Sequence, residues 1–274
     1  MNTESILKTR AVKARLKSTL LAALAGSLLL SPTASIAAPM FLGYAAGDAT
    51  STDVTLWTRA VDTSAPAAIQ LFAQLTTDQT FNTGVFNFLV TTVATNDYTV
   101  KVQVTQLQPS TRYYYRFTDG VNTTGIGTFK TAPAPNAAAP VRFAFSGDND
   151  GLMRPYALAS TLPAQALDFY INLGDTMYEN ASALTNASIG QPYTNSPSVT
   201  LSGSSLSLNG VPVAGTTFAT RQQLFDDYNK KYRENFLPVN TGGQAGLQPL
   251  YAGQGVYTLY DNHEFGNLQY INGG

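Results

Sequence analysis

Short runs of alternating apolar and polar residues follow one another through the first part of the chain. A period of two predicts β-strands that each bury one side. Gly, Pro, Asn, Asp and Ser separate the runs and supply turns. Strands of this length and spacing indicate a small β-sandwich over residues 38–132. The runs lie at residues 54–58, 67–71, 86–90, 98–104 and 113–117.

A tyrosine motif supports this prediction. Residues 107–113 read Leu-Gln-Pro-Ser-Thr-Arg-Tyr and come just before the last of these runs. The motif resembles the tyrosine corner of fibronectin type III domains, in which a tyrosine hydroxyl bonds to backbone upstream of it. We therefore expect Tyr113 to make that bond within an all-β, fibronectin type III-like sandwich. Trp57 and Tyr115 are interpreted as core or interface residues.

The pattern changes beyond a proline- and alanine-rich stretch. Residues 133–140 have little to bury and predict an extended linker between two domains. Apolar runs then recur with long stretches between them, and residues 221–236 show the i, i+4 apolar spacing of an amphipathic helix. This alternation predicts an α/β domain over residues 141–274, with a mixed sheet and flanking helices. Residues 180–220 are rich in Ser, Thr, Asn and Gly and predict a long loop or insertion.

Composition narrows the possible functions. With 274 residues and 44% hydrophobic content, the chain can bury the cores of two ordinary domains. Its net charge of −1 and 12% charged residues exclude a basic patch for nucleic-acid recognition. Because the chain has no cysteine and one histidine, any metal ion would be held by oxygen and nitrogen atoms.

The first 37 residues have the pattern of a signal peptide. Five basic residues precede an apolar stretch at residues 20–30, which is too short to span a bilayer comfortably. Small residues at Ser35 and Ala37 stand where a signal peptidase reads the chain. The sequence therefore predicts a secreted or periplasmic protein without stable membrane insertion after cleavage. The alternative is an uncleaved membrane anchor.

The three strand-like runs of the second half each end in polar residues. Carboxyl ends of parallel strands meet at one edge of a sheet, so we expect these ends to converge. Several carboxylates at one point repel one another unless cations neutralise them, and convergence would therefore favour a metal centre. Each aspartate alone is also typical of a turn or a helix cap. The residues concerned are Asp148, Asn149, Asp150, Asp175 and Asp261.

Two of these ends resemble motifs of calcineurin-like metallophosphoesterases. Residues 174–178, Gly-Asp-Thr-Met-Tyr, are similar to the Gly-Asp-x-x-Tyr motif, and residues 262–264 are similar to the Asn-His-Glu motif. In detail the chain resembles the alkaline phosphatase D (PhoD-like) family. That family also has the Gly-Asp pair at residues 47–48, the Leu-Trp-Thr-Arg run at 56–59 and the tyrosine-rich run at 107–115.

The resemblance implies an exported phosphoric ester hydrolase with two metal ions, Ca, Fe, Mn or Zn. Its substrate would be a small phosphate mono- or diester, attacked by a metal-bound water. Asp175 would bridge the two metals, Asp148 and Tyr178 would bind one of them, and Asn262 would bind the second. His263 would stabilise or protonate the leaving oxygen. Asp150, Asn149 and Asp261 would be accessory residues.

The sequence departs from the family pattern at two points. Ser146-Gly147-Asp148 stands where many members have a Ser-Cys pair that binds iron, so the identity of the metal stays open. The family also has histidine and aspartate ligands well downstream of the Asn-His-Glu motif, and only residues 265–274 follow here. We therefore expect residues 141–274 to be the N-terminal part of a metallophosphoesterase domain. The alternatives are an inactive secreted fragment, a phosphate- or metal-binding module, or one product of a split reading frame.

Overall fold

Two large sheets dominate the part of the chain that the computed structural model describes. The prediction of a signal peptide falls on residues 1–37, which lie outside it. The described residues from 38 onward belong to one compact unit. They are residues 38–149, 156–176, 199–201, 207–208, 211–212, 216–218, 229, 232–233, 235–236 and 246–264.

The strands are short, and half of them lie in the first half of the chain. Seven of them precede the predicted linker: β1 Met40–Gly47, β2 Val54–Val61, β3 Ala68–Thr76, β4 Phe86–Val93, β5 Thr99–Val104, β6 Arg112–Thr118 and β7 Gly127–Lys130. The others are β8 Phe143–Ser146, β9 Phe169–Asn172, β10 Val199–Leu201, β11 Ser207–Leu208, β12 Val211–Pro212, β13 Thr216–Phe218 and β14 Gly255–Thr258. Two short α-helices are α1 Ala157–Thr161 and α2 Gln248–Gly253.

The larger sheet has the strand order β5-β2-β1-β14-β9-β8. Strands β5, β2 and β1 pair antiparallel, whereas β1, β14, β9 and β8 pair parallel. The sheet is mixed, as predicted, but its antiparallel part consists of β1, β2 and β5 and not of strands within residues 141–274, where the prediction placed it. It combines strands from both sides of the predicted linker, because Gly47 of β1 pairs with Val256 of β14. Residues 131–142 form no helix or strand, and the domain boundary at 133–140 stays a prediction.

The second sheet, β4-β3-β6-β7, is antiparallel throughout. One hydrophobic core contains side chains from this sheet and from β1, β2 and β5. Strand β2 contributes one of its two sides to this core. Its residues alternate strictly between buried and half-buried, as a period of two requires. The predicted tyrosine bond is confirmed: the Gln108 backbone N–H donates to the Tyr113 hydroxyl at 2.9 Å.

Helices α1 and α2 cover one face of the parallel strands. Tyr170 and Val256 on this face pack against Ala159, Leu250 and Tyr251 from the helical side. The opposite face carries exposed aromatic side chains on the edge strand β8, where Phe143 and Phe145 are 49% and 63% exposed. Within the described residues, the edge strand β8 is therefore covered on the helical side only.

Two further predictions concern the segment between β9 and α2. The stretch predicted as a long loop contains the short strand pairs β10–β13 and β11–β12. Residues 229, 232–233 and 235 are helical, in agreement with the amphipathic helix predicted over 221–236. Most other positions of that helix lie outside the described residues. No helix that the structure describes has the length and apolar character needed to cross a membrane.

A buried hydroxyl in the main core gives a stability prediction. Tyr115 is fully buried, and its hydroxyl has no hydrogen-bond partner among the described residues. Because an unsatisfied polar group costs free energy in a core, we expect Tyr115→Phe to raise the free energy of unfolding by about 1 kcal/mol. Tyr113→Phe is the matched control and should lower it by about 1 kcal/mol, since Gln108 then loses its acceptor. Urea denaturation of both variants measures whether each raises or lowers the free energy of unfolding. Destabilisation by both would contradict the prediction.

Candidate active site

Three loops meet at the carboxyl ends of β8, β9 and β14. The backbone N–H of Asn149, after β8, donates to the backbone oxygen of Asp175, after β9, at 2.9 Å. The backbone N–H of His263, after β14, donates to the Asp175 carboxylate at 3.0 Å. The predicted convergence of the strand ends is therefore present, with Asp175 at its centre.

The backbone in these loops turns sharply. Asp148 and Asp175 have φ angles of 57° and 52°, in the left-handed region that aspartate tolerates better than most residues do. Gly174 has a φ of 105°, and a Cβ built there would lie 2.5 Å from the Asp261 nitrogen. Only glycine therefore allows the loop after β9 to pass so close to the loop after β14.

Glu264 ties two of the loops together, a role that the sequence analysis missed. Its Oε2 accepts hydrogen bonds from the backbone N–H groups of Asp175 and Asp261, both at 2.8 Å. Its Oε1 accepts a third, from the backbone N–H of Thr176, at 2.6 Å. Hydrogen bonds to an ionised acceptor are among the strongest in proteins. The last residue of the Asn-His-Glu motif thus ties the loop after β9 to the start of its own loop.

Asn172, at the end of β9, forms a second junction. Its Oδ1 accepts from Gly174 N–H at 3.2 Å and from the Asn149 side chain at 3.3 Å. Its Nδ2 donates to Thr176 Oγ1 at 3.0 Å and to the Tyr251 hydroxyl at 2.7 Å. Burial raises the pKa of Tyr251 to about 12, so its hydroxyl stays neutral. Both N–H groups of this buried amide donate a hydrogen bond, and its oxygen accepts two. The full set of bonds fixes the loop rigidly.

The helical segment before α2 also contacts the site. Asn235 is buried, and its side chain donates to the backbone oxygen of Thr176. The Tyr156 hydroxyl, ahead of α1, donates to the backbone oxygen of Asn149 at 2.7 Å, and Asn235 Oδ1 lies 3.4 Å from the same hydroxyl. The loops after β8 and β9 are therefore held from the helical side as well. The sequence offered no signal for these contacts, because asparagine and tyrosine occur in many roles.

The predicted site residues divide by exposure. Asp175 is 4% exposed, and Asn149 and His263 are each 7% exposed. Asp148 and Asp261 are exposed, and Asn262 is intermediate. These six residues lie in the three converging loops. Asp150 and Tyr178 lie outside the described residues.

The donor atoms in these loops are of the kind that hard cations bind. Aspartate carboxylates and the Asn262 amide supply oxygen ligands, and His263 supplies the one imidazole of the chain. Within the described ranges, no three His, Cys, Asp or Glu side chains are grouped closely enough to hold a metal ion by themselves. The described residues therefore supply donor atoms suited to a cation but no complete group of ligands.

Comparison with known proteins identifies the class of protein that this fold and site resemble. Residues 26–133 match the family model for the PhoD-like phosphatase, N-terminal domain. The resemblance to the alkaline phosphatase D family that the sequence motifs predicted is confirmed, and the similarity is to phosphoesterases.

Two particular relatives extend the match. The chain is 30% identical over 148 residues to Alkaline phosphatase D of Bacillus subtilis (strain 168), covering 52% of this chain and 25% of that protein. A solved structure of PhoD superposes with a TM-score of 0.62 at 26% identity, covering 86% of this chain and 41% of that chain. The chain therefore spans about a quarter of the curated relative's length.

Proposed function

We propose that this chain belongs to an exported, metal-dependent phosphoesterase of alkaline phosphatase D type that hydrolyses small phosphate mono- or diesters. One observation carries the proposal. The two motifs that resemble the family, at residues 174–178 and 262–264, are far apart in sequence, yet the His263 backbone bonds to the Asp175 carboxylate at 3.0 Å. Ligands of open α/β sheets bind at the carboxyl ends of the strands, which is where these two motifs meet.

The metal ligands would come from the three loops. Asp175 would be shared between two ions, Asp148 and Tyr178 would hold one of them, and Asn262 would hold the other. The ions would supply an activated water and would neutralise charge on the phosphoryl oxygens. Ca, Fe, Mn and Zn all stay candidates, because carboxylate, phenolate, amide and imidazole groups can bind each of them.

Residues of the protein itself would hold the catalytic groups in place and protonate the leaving oxygen. His263 is buried beside Asp175, where its imidazole would donate a proton to the leaving oxygen. The Glu264 carboxylate holds the backbones of Asp175, Thr176 and Asp261 in place, and precise placement of this kind is what efficient catalysis requires.

We extend the proposal to the organisation of the chain. A signal peptide at residues 1–37 would direct export. Residues 38–132 would form a fibronectin type III-like sandwich, which the two-sheet packing and the Tyr113 bond to Gln108 support. After the linker at 133–140, residues 141–274 would form the first part of the metallophosphoesterase domain.

The test is hydrolysis by the purified chain of p-nitrophenyl phosphate and bis-p-nitrophenyl phosphate. Each assay is run with Ca²⁺, Mn²⁺, Zn²⁺ or Fe³⁺ and with a chelator. We expect any metal-dependent turnover of this chain to be weak and to be lost in Asp175→Asn, because the shared ligand is removed. Asp119→Asn is the matched control: its carboxylate also accepts backbone N–H groups, but in the loop after β6, and activity should be unchanged.

Two outcomes would count against the proposal. Turnover that persists in Asp175→Asn would place the chemistry elsewhere. Saturable binding of phosphate or metal by folded protein, without turnover under any condition, would favour the phosphate- or metal-binding module instead.

A further inference from the structure

A cavity of about 590 Å³ lies on the side of the larger sheet that faces away from the main core. Its floor includes Trp57 and Arg59, which alternate along β2 with the core residues Leu56 and Ala60. It is closed on the opposite side by Asn229, Tyr232, Arg233 and Phe236. A cavity of this size is in the range of small-molecule sites.

Three charged side chains meet in its wall. The Asp97 carboxylate accepts hydrogen bonds from Arg59 Nη2 at 2.9 Å and from Arg59 Nε at 3.0 Å. It also forms an ion pair with Arg233 Nε at 2.6 Å. Burial raises the pKa of Asp97, but the two guanidinium groups outweigh burial and hold it below its usual range. The carboxylate is therefore ionised, and two cations facing one anion leave the wall positively charged.

The ion pair uses few of the available donors. A guanidinium group carries five N–H bonds in a planar fork. Asp97 engages Nε and Nη2 of Arg59 and Nε of Arg233, so Nη1 of Arg59 and both Nη groups of Arg233 lie outside the ion pair. Two arginines held in place by one shared carboxylate are preorganised to bind another anion.

We propose that this cavity binds a small organic phosphate, with the phosphate on Arg59 and Arg233 and the organic part against the Trp57 ring. Paired guanidinium forks match a tetrahedral oxyanion, which can accept several of their N–H bonds at once. The cavity exceeds the volume of inorganic phosphate, and its aromatic wall suits a ring or short apolar body. The site is separate from the Asp175 loops and does not depend on hydrolysis there.

Trp57 makes the proposal directly measurable. It is the single tryptophan of the chain, so tryptophan fluorescence reports on this cavity alone. Phenylphosphonate, which phosphoesterases cannot hydrolyse, is titrated at constant ionic strength, with inorganic phosphate, benzoate and benzyl alcohol in parallel. We expect a saturable change with phenylphosphonate, weaker binding of inorganic phosphate and benzoate, and none of benzyl alcohol.

Variants separate the cavity from the candidate active site. Arg233→Gln should weaken phenylphosphonate binding by about tenfold or more, because a charged fork is lost. Arg233→Lys keeps the charge and should lie between Arg233→Gln and the unmodified chain, provided that circular dichroism shows the same fold. Asp175→Asn should bind with unchanged affinity even though it loses hydrolysis. Affinity unchanged by Arg233→Gln, or abolished by Asp175→Asn, would overturn the proposal whatever the hydrolysis assays give.

Discussion

Gly174→Ala is expected to cause the largest loss of stability and function of any single methyl group added near the site. The new Cβ would lie 2.5 Å from the Asp261 nitrogen and 2.7 Å from its Cβ, while the backbone keeps a φ of 105°. The loop after β14 must move away, which separates His263 from Asp175. Clash and strain together should lower the free energy of unfolding by about 3 kcal/mol, or the melting temperature by ~6–12 °C.

Gly120→Ala is the matched control for this prediction. Gly120 has a similar φ of 96°, but a Cβ there would meet no atom within 4 Å. Only the backbone strain is added, so we expect a loss of about 1 kcal/mol. Equal melting temperatures for the two variants would mean that the close approach to Asp261 carries no energetic weight.

Glu264→Gln is expected to have the second-largest effect. The glutamine amide has one acceptor oxygen where the carboxylate has two. Either the pair of N–H groups from Asp175 and Asp261 or the single N–H of Thr176 would then face an NH₂ donor. Loss of charge-assisted bonds should lower the free energy of unfolding by about 2–3 kcal/mol. Any metal-dependent hydrolysis should fall together with it, because Asp175 loses its support.

Asp119→Asn again provides a control, since it makes the same carboxylate-to-amide change at a turn. Asp119 Oδ1 accepts from the backbone N–H groups of Val121 and Asn122, and an asparagine oxygen can take over both bonds. Its cost should stay below about 1 kcal/mol. Amide hydrogen exchange of Asp175 and Thr176 provides a second readout. Protection unchanged in Glu264→Gln would show that the carboxylate does not hold these groups.

The sequence motifs predicted the centre of the candidate site better than its supports. Asp175 and His263 were identified because their neighbours resemble known motifs, and the structure brings both into contact. Glu264 was read only as the end of a motif. Its partners are backbone N–H groups, which every residue except proline has, so no sequence pattern marks them. Asn172 and Asn235 were missed for a different reason. Asn172 contacts Asn149 and Tyr251, and Asn235 contacts Thr176, all of which lie far away in sequence.

The fold shows the same division. The alternation in β2 and the turn residues around it predict a strand without reference to the rest of the chain. The parallel pairing of Gly47 with Val256 joins residues that are far apart in sequence, and nothing near either residue indicates the other. A linker was predicted between the strands before and after residues 133–140, yet both groups contribute to one sheet.

The sequence by itself determined eight of the ten described strands of the two large sheets, all except β1 and β7. It also determined where the strands of the second half end in polar residues, and which family the motifs resemble. These properties depend on neighbours along the chain, through side-chain periodicity and turn preferences. Only the tertiary structure decided the order of the strands, the hydrogen bonds of Glu264 to two loops, and the ion pairs of Asp97 with Arg59 and Arg233. Such contacts form when long loops close, and loop closure is driven by burial of the whole core rather than by any local pattern.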